Sequence, residues 1–229
     1  MPPLTVALTT VLASEQGAAI TFTESGGLWS WTGLTTPTAP KPWSVSDEGT
    51  AIKTLEGDDR LAPGWTLVEQ GSNKITFEQE MAAAGLRCRR VFSFGPAANV
   101  LRIETSGQSP GGDKVLKRAG LLDARITGEA FVDTGAAPAS FPVFGTSLFV
   151  GIEHVSGTCH GEGDTVHAWQ APTLKVGEAW KSVATVVVGW LMPSDCSIVT
   201  GSGRIRDAFL QYLDTIRLKP ADLELHTNT

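Results

Sequence analysis

Short apolar or alternating runs, separated by Gly, Pro, Asp and Asn, fill the chain from Val6 to Leu191 and limit the folds open to it. Side chains of a strand alternate between two faces, and small or polar breakers favour the turns between strands. The predicted strands are Val6–Leu12, Ala18–Thr23, Ala51–Leu55, Trp65–Glu69, Lys74–Met81, Leu86–Phe94, Val100–Thr105, Ala130–Asp133, Ser147–His154, Asp164–Trp169 and Ala179–Gly189. The sequence therefore predicts an all-β domain over residues 1–200, built as two large packed sheets.

The connections between these runs are less regular. Ala82–Gly85 joins Lys74–Met81 to Leu86–Phe94 and predicts a hairpin turn. Thr35–Trp43 and Ser106–Asp113 are rich in Pro, Gly and Ser, which predicts loops. Neither is long enough to be a linker between domains.

The last part of the chain has a different period. Residues 201–220 place Ile205, Ala208, Phe209, Tyr212, Leu213 and Ile216 at three- and four-residue steps, and Pro220 ends the pattern. We expect a helix with one apolar face. In residues 221–229, Leu223 and Leu225 alternate with polar residues, which predicts the start of a further strand. A strand that has just begun needs a partner, so we expect this helix to be a linker into a second domain.

Composition excludes some functions. The net charge of −6 and a pI near 5.2 argue against a nucleic-acid-binding surface. No apolar run approaches the roughly 20 residues of a membrane helix, so no membrane partner is expected. The amino-terminal residues have an apolar centre without a preceding positive charge, and the compartment of the protein stays unknown.

The cysteines and histidines do not form a recognisable metal motif. His154, Cys159, His160 and His167 lie near one another, but their spacing matches no standard zinc pattern and residues 156–163 are predicted to be a glycine-rich loop. We expect surface histidines and no metal or other cofactor. Cys159 and Cys196 form the best disulfide pair because both lie in predicted loops, whereas Cys88 lies in a strand.

The run Ser147–His154 is apolar on both faces, as in a central strand covered on both sides. Glu153 ends this strand, and a carboxylate there needs a partner. A structural arginine is the favoured partner, and a sugar hydroxyl is the alternative. Glu153 and His154 cannot act as a catalytic base and acid on one sugar, because strand neighbours point to opposite faces.

Several short motifs follow one another in an order that resembles a known family. They are Phe141–His154, Leu174–Ser182, Val186–Gly189, Arg204–Arg217 and Leu225–Thr229. They are similar to the amino-terminal domain and linker helix of bacterial glycoside hydrolases related to the α-galactosidase and α-N-acetylgalactosaminidase group. The resemblance covers about residues 86–229 and implies a β-supersandwich of galactose-mutarotase-like fold. In that family a catalytic (β/α)8 barrel follows, and the helix leads into the first barrel strand.

The resemblance implies a non-catalytic domain that supports the barrel and helps shape a pocket for a galactose- or N-acetylgalactosamine-containing glycan. The family's catalytic aspartates lie on later barrel strands, so no residue of this chain is predicted to be catalytic. His226, Thr227 and Asn228 fall where the first barrel strand would open towards the substrate. By fold analogy alone, loops containing Trp29, Trp31, Trp43 or Trp65 are expected to reach over the barrel mouth and stack on a sugar.

Two other functions fit the same residues. A stand-alone carbohydrate-binding module would use exposed tryptophans as its sugar platform, and seven Trp against a single Tyr is compatible with that. A structural or assembly protein would pair its terminal strand with another subunit.

Overall fold

The architecture is taken from a computed structural model that describes residues 7–39, 41–47, 50–54, 58–61, 64–82, 84–95, 99–132, 142–154, 157–191 and 202–216. For residues 50–54, 58–61, 202 and 203 the description is limited to the backbone.

The described chain consists of β-strands followed by one helix. The strands are β1 (Thr9–Ala13), β2 (Ala19–Ser25), β3 (Leu28–Thr35), β4 (Trp43–Asp47), β5 (Thr50–Thr54), β6 (Asp58–Leu61), β7 (Thr66–Gln70), β8 (Lys74–Met81), β9 (Leu86–Phe94), β10 (Val100–Gln108), β11 (Lys114–Thr127), β12 (Phe131–Val132), β13 (Val143–Phe144), β14 (Leu148–Ile152), β15 (Gly157–Gly163), β16 (Thr165–Gln170), β17 (Leu174–Val176) and β18 (Lys181–Trp190). The helix is α1 (Ser202–Ile216). The expected all-β fold with a helix after it is confirmed.

The strands pair antiparallel in two layers. One layer runs β7–β8–β9–β10–β18–β14. The other runs β1–β2–β3–β4–β11–β16–β15, with β5 and β17 flanking the first half of β11 and β6 beside β5. The short strands β12 and β13 connect β15 to β14, so the hydrogen bonding continues from one layer to the other.

One hydrophobic core lies between the layers. Phe22 of β2 packs on Phe77 of β8 and Phe92 of β9, with ring centroids 4.7 and 4.9 Å apart. Apolar side chains of β10, β11, β14, β16 and β18 extend the same cluster. In these strands, the alternation therefore buries one face against the opposite layer.

Helix α1 covers the outer face of the first layer. Its buried residues Ile205, Ala208 and Tyr212 pack with Val100, Phe149 and Val187, which point away from the core. β14 and the end of β18 are apolar on both faces, because the core covers one face and α1 the other. In the described part of the chain, α1 is not long and apolar enough to span a bilayer.

Several strands were not predicted from the sequence. β11 is the longest of the described strands, with 14 residues, yet the sequence analysis assigned no strand there. The tryptophans Trp29 and Trp31 lie in β3 and Trp43 begins β4, so they are not in loops. The predicted glycine-rich loop 156–163 is also wrong, because residues 157–163 form β15. The expected strand in residues 221–229 lies outside the described residues, and the boundaries of 1–200, 201–220 and 221–229 as separate units stay predictions.

Candidate functional site

The region around β14 is where the sandwich meets its helix. Leu148 and Val150 point into the core between the layers, and Phe149 between them points to the outer face beneath α1. This alternation was predicted from the sequence. Gly189 of β18 lies directly opposite Phe149, and an added Cβ at Gly189 would overlap the Phe149 ring. The glycine therefore makes room for the aromatic ring on which the helix rests.

Glu153, just after β14, binds an arginine from another strand of the same layer. Arg102 of β10 donates from Nε to Glu153 Oε1 at 3.1 Å and from Nη2 to Oε2 at 2.7 Å. Arg102 also contacts Glu104 Oε1 through Nη1 at 3.0 Å. A bidentate pair of this kind holds both side chains in one plane. Of the two partners expected for Glu153, the structure shows the arginine; a contact with sugar stays a prediction.

The helix joins this pair through Tyr212, which is only 1% exposed. Its hydroxyl donates a hydrogen bond to Glu153 Oε1. Burial, followed by the hydrogen bond to Glu153, raises the pKa of the Tyr212 phenol above its ordinary value. The hydrogen bond to Glu153 likewise raises the pKa of Arg102. We call Arg102, Glu153 and Tyr212 the helix junction.

The helix junction is suited to holding α1 in a fixed position on the sheet. Each oxygen of the Glu153 carboxylate already accepts a hydrogen bond from inside the protein. Through Tyr212, the polar contact adjoins the aromatic cluster of Phe149, Phe209 and Tyr212, with Phe149 and Phe209 centroids 5.2 Å apart. The position of α1 on the sheet is therefore specified by directional bonds as well as by burial.

The sequence analysis did not identify Arg102 or Tyr212 as members of this site. Tyr212 was placed on the apolar face of the helix, but its hydroxyl partner depends on contacts between distant parts of the chain. The only signal was that a buried tyrosine hydroxyl usually has a hydrogen-bond partner.

An apolar strip runs beside the helix junction and is partly open to solvent. Val132 of β12 is 66% exposed and pairs with Phe144 of β13, whose ring lies 5.8 Å from that of Phe209. Leu213 and Ile216 continue the line along α1, and Ile216 is 42% exposed. The strip, defined as Val132, Phe144, Phe209, Leu213 and Ile216, leads from the sheet to the end of the described helix.

The predicted tryptophan platform is mostly interior. Trp31 and Trp65 are 2% and 5% exposed and belong to the core, so their rings are not on the surface. Trp29 is half-buried, and its backbone pairs with that of Trp65 through hydrogen bonds of 2.7 and 2.8 Å. Trp43 is half-buried and packs at the edge of the same core. The roles assigned to these side chains in sugar binding stay predictions.

Other predicted positions lie apart from the helix junction or outside the described residues. His226, Thr227, Asn228 and Cys196 are not described, so neither the proposed substrate contacts nor the disulfide with Cys159 is tested. His160 and His167 are cross-strand partners in β15 and β16. Within the described ranges, no group of three or more His, Cys, Asp and Glu side chains is placed to hold a metal ion.

Glu129 is a second buried carboxylate that sequence reasoning missed. It is 5% exposed, and it accepts a hydrogen bond of 3.0 Å from the backbone amide of Ser147. Burial raises the pKa of Glu129, and hydrogen bonds from the amides of Ser147, Leu148 and Thr146 and from the Trp43 side chain oppose this rise. Glu129 thus ties the end of β11 to the turn that precedes β14.

Similarity to known proteins is found in the structure and not in the sequence. No protein-family model matches the sequence. No curated protein matches it either. The structure is similar to a putative aldose 1-epimerase from Escherichia coli K12, with a TM-score of 0.46 and 9% identity over 80% of this chain and 100% of that one. It is also similar to the Slr1438 protein from Synechocystis sp. PCC 6803, with a TM-score of 0.48 and 11% identity over 80% and 95% of the two chains. Both TM-scores are below 0.5.

Proposed function

We propose that this chain is the non-catalytic β-supersandwich domain and linker helix of a glycoside hydrolase related to the α-galactosidase and α-N-acetylgalactosaminidase group. Its function is to support a catalytic barrel that follows the helix and to help shape the sugar site. The proposal starts from the order of motifs in residues 86–229 and from the way in which α1 is fastened to the sandwich.

The helix junction is the observation that carries the proposal. A linker that only separates two domains needs no fixed position, whereas one that supports a barrel must hold a constant direction. Tyr212 and Glu153 join α1 to β14, and Arg102 joins both to β10. These bonds fix the helix on the sandwich surface. A barrel that follows the helix would therefore start from a fixed position relative to the sandwich.

The apolar strip supports the same proposal. A barrel that packs on the sandwich needs an apolar contact surface close to the point where the chain enters it. Val132 and Ile216 are large exposed apolar residues at the two ends of the strip. We propose that the barrel covers this strip in the longer polypeptide.

A stand-alone carbohydrate-binding module has less support. Such a module stacks sugars on exposed aromatic rings, and the rings of Trp31 and Trp65 are in the core. Saturable quenching of tryptophan fluorescence by galactose-containing glycans would favour this alternative, and a flat titration would remove it.

The first test is the size of the native polypeptide, measured with an antibody raised against this chain. We expect a product several times larger than 24.2 kDa that hydrolyses nitrophenyl α-galactoside or α-N-acetylgalactosaminide, while the 229-residue chain alone has no activity. A native product of 24.2 kDa would contradict the proposal.

Exchange of Val132 for Asp tests the contact surface in the longer polypeptide. A carboxylate buried against the barrel is costly, so we expect a lower thermal midpoint and lower activity. The matched control is Val68→Asp. Val68 is 51% exposed, but it lies on β7, at the end of the first layer opposite to β14. In the 229-residue chain both variants should keep the midpoint of the unchanged chain. Equal effects of the two variants in the longer polypeptide would place the barrel elsewhere.

A further inference from the structure

The outer face of the second layer carries a row of polar side chains unrelated to the helix junction. Asp123 of β11 lies opposite His167 of β16, and His167 lies opposite His160 of β15. Side chains of directly opposed residues point to the same face of a sheet. The three residues therefore form one line across three adjacent strands.

The two neighbours of His167 on β16 point to the opposite face of the sheet. Ala168 is 1% exposed and Val166 is fully buried, and both belong to the core. His160 is exposed, and the side chains of His167 and Asp123 are 41% and 38% exposed. The row is thus on the surface, where an ion from solution can reach it.

The Asp123 carboxylate orients the imidazole of His167. His167 Nδ1 lies 2.8 Å from Asp123 Oδ1, which favours the tautomer with its hydrogen on Nδ1 and leaves the lone pair on Nε2. A carboxylate behind a histidine in this way is the usual support of a metal-binding imidazole, because it fixes the ring and strengthens its basicity.

The second imidazole is close and similarly oriented. The His160 and His167 ring centroids are 6.2 Å apart, and the ring planes are inclined by 17°. Imidazole nitrogens bind transition metals at about 2.0–2.1 Å. The spacing of the two rings allows one ion to lie between their edges, bound by one nitrogen of each ring, with water completing the coordination.

We propose that His160 and His167 form a two-imidazole site for a divalent late transition-metal ion, of the class of Cu²⁺, Ni²⁺ or Zn²⁺, with Asp123 as a positioning residue. Imidazole is a preferred ligand of these ions, and their affinities rise towards Cu²⁺. The bound ion would cross-link β15 to β16. It would stabilise the folded chain to the extent that the ion binds the folded chain more tightly than the unfolded chain.

The test is a calorimetric titration of the untagged 229-residue chain with NiCl₂. We expect one saturable site, weakened at least about tenfold in His160→Gln and in His167→Gln. Asp123→Asn should weaken it by about 10–100-fold, the usual effect of losing such a supporting carboxylate. The matched control is His154→Gln, because His154 is an exposed histidine outside the row and its loss should leave the affinity unchanged.

A second readout locates the ion. Trp169 is two residues from His167 and points to the same face, so Cu²⁺ at this site should quench its fluorescence, and Trp169→Phe should lower the quenched amplitude. Circular dichroism of each variant checks that the fold is kept. No nickel binding by the unchanged chain, unchanged affinity in the His160 or His167 variant, or loss of binding in the His154 variant would overturn the proposal. Unchanged affinity in the Asp123 variant would remove the role given to the carboxylate.

Discussion

The hydroxyl of Tyr212 donates a hydrogen bond to the carboxylate of Glu153, and this contact joins the only described helix to the sheet below it. The two residues are separated by 59 positions in the sequence. Arg102 holds the same carboxylate from a third element. The helix is thus positioned by a carboxylate that Arg102 of the sheet already holds in place.

Tyr212 should resist ionisation as long as the protein is folded. It is the single tyrosine of the chain, so the ultraviolet absorbance of tyrosinate reports this residue alone. Burial and the hydrogen bond to Glu153 raise its pKa. We expect no tyrosinate signal in the folded protein as the pH rises through about 10, whereas the chain unfolded in urea should titrate near that value.

The same shift makes stability depend on alkaline pH. A group with a raised folded-state pKa contributes stability that is complete below its unfolded-state pKa and is lost as the pH rises towards the folded value. The unfolding free energy should therefore fall above about pH 10. Tyr212→Phe should remove that part of the fall and cost about 1.5–3 kcal/mol at neutral pH, measured by urea unfolding. Gln211→Ala, an exposed exchange on the same helix, is the control, and equal stability of the two variants would contradict the expectation.

Arg90 is a buried charge between the two layers. It is 1% exposed, its Nη2 donates to the Leu121 carbonyl at 2.7 Å, and its Nη1 lies 3.5 Å from Asp47 Oδ2. The Trp65 ring lies against the guanidinium, at 4.6 Å. We expect Arg90→Met to cost about 3–5 kcal/mol in urea unfolding, because Asp47 keeps a buried charge without its arginine.

Replacing both Arg90 and Asp47 distinguishes the cost of a buried, unpaired charge from the cost of lost packing. The double variant Arg90→Met with Asp47→Leu should recover much of the loss, since a well-packed apolar pair often matches a buried ion pair. If the double variant were as unstable as the sum of the single variants, the ion pair would not be the cause.

Gly189 should tolerate no side chain, because it lies beneath the Phe149 ring. We expect Gly189→Ala to lower the unfolding free energy by about 1–3 kcal/mol or more. Gly111→Ala is a matched control, since a Cβ there meets nothing within 4 Å. Phe149→Leu in the Gly189→Ala background should restore part of the loss, and an equal effect of both alanines would exclude overlap as the cause.

Glu129 should produce a pH dependence in the mildly acidic range. Burial raises its pKa, so its contribution to stability is complete below the unfolded-state pKa and decreases as the pH rises through the folded value. Glu129→Gln cannot ionise, and the slope of unfolding free energy against pH above about 4.3 should become less negative in this variant. Urea unfolding at a series of pH values measures both slopes. The same slope in both proteins would show that Glu129 does not titrate in this range.

Regular alternation allowed part of the fold to be predicted. Lys74–Met81 and Leu86–Phe94 were predicted with the boundaries that the structure shows, because each run alternates clearly and a short turn joins them. β11 was missed because its charged residues Lys117 and Arg118 follow one another and its pairing shifts register twice, between Leu116 and Arg118 and between Gly120 and Leu122. β15 was missed because three of its seven residues are glycines, which favour a loop when no partner strand is considered.

The sequence by itself determined the all-β class, the two apolar faces of β14 and the apolar face of α1, because these depend on spacing along one segment. The tertiary structure decided which groups meet: Glu153 with Arg102 and Tyr212, Arg90 with Asp47, and His160 with His167 and Asp123. It also placed Trp31 and Trp65 in the core. Periodicity shows that a side chain has a buried or an exposed face, but its partner depends on strand pairing and layer packing between residues far apart in the chain.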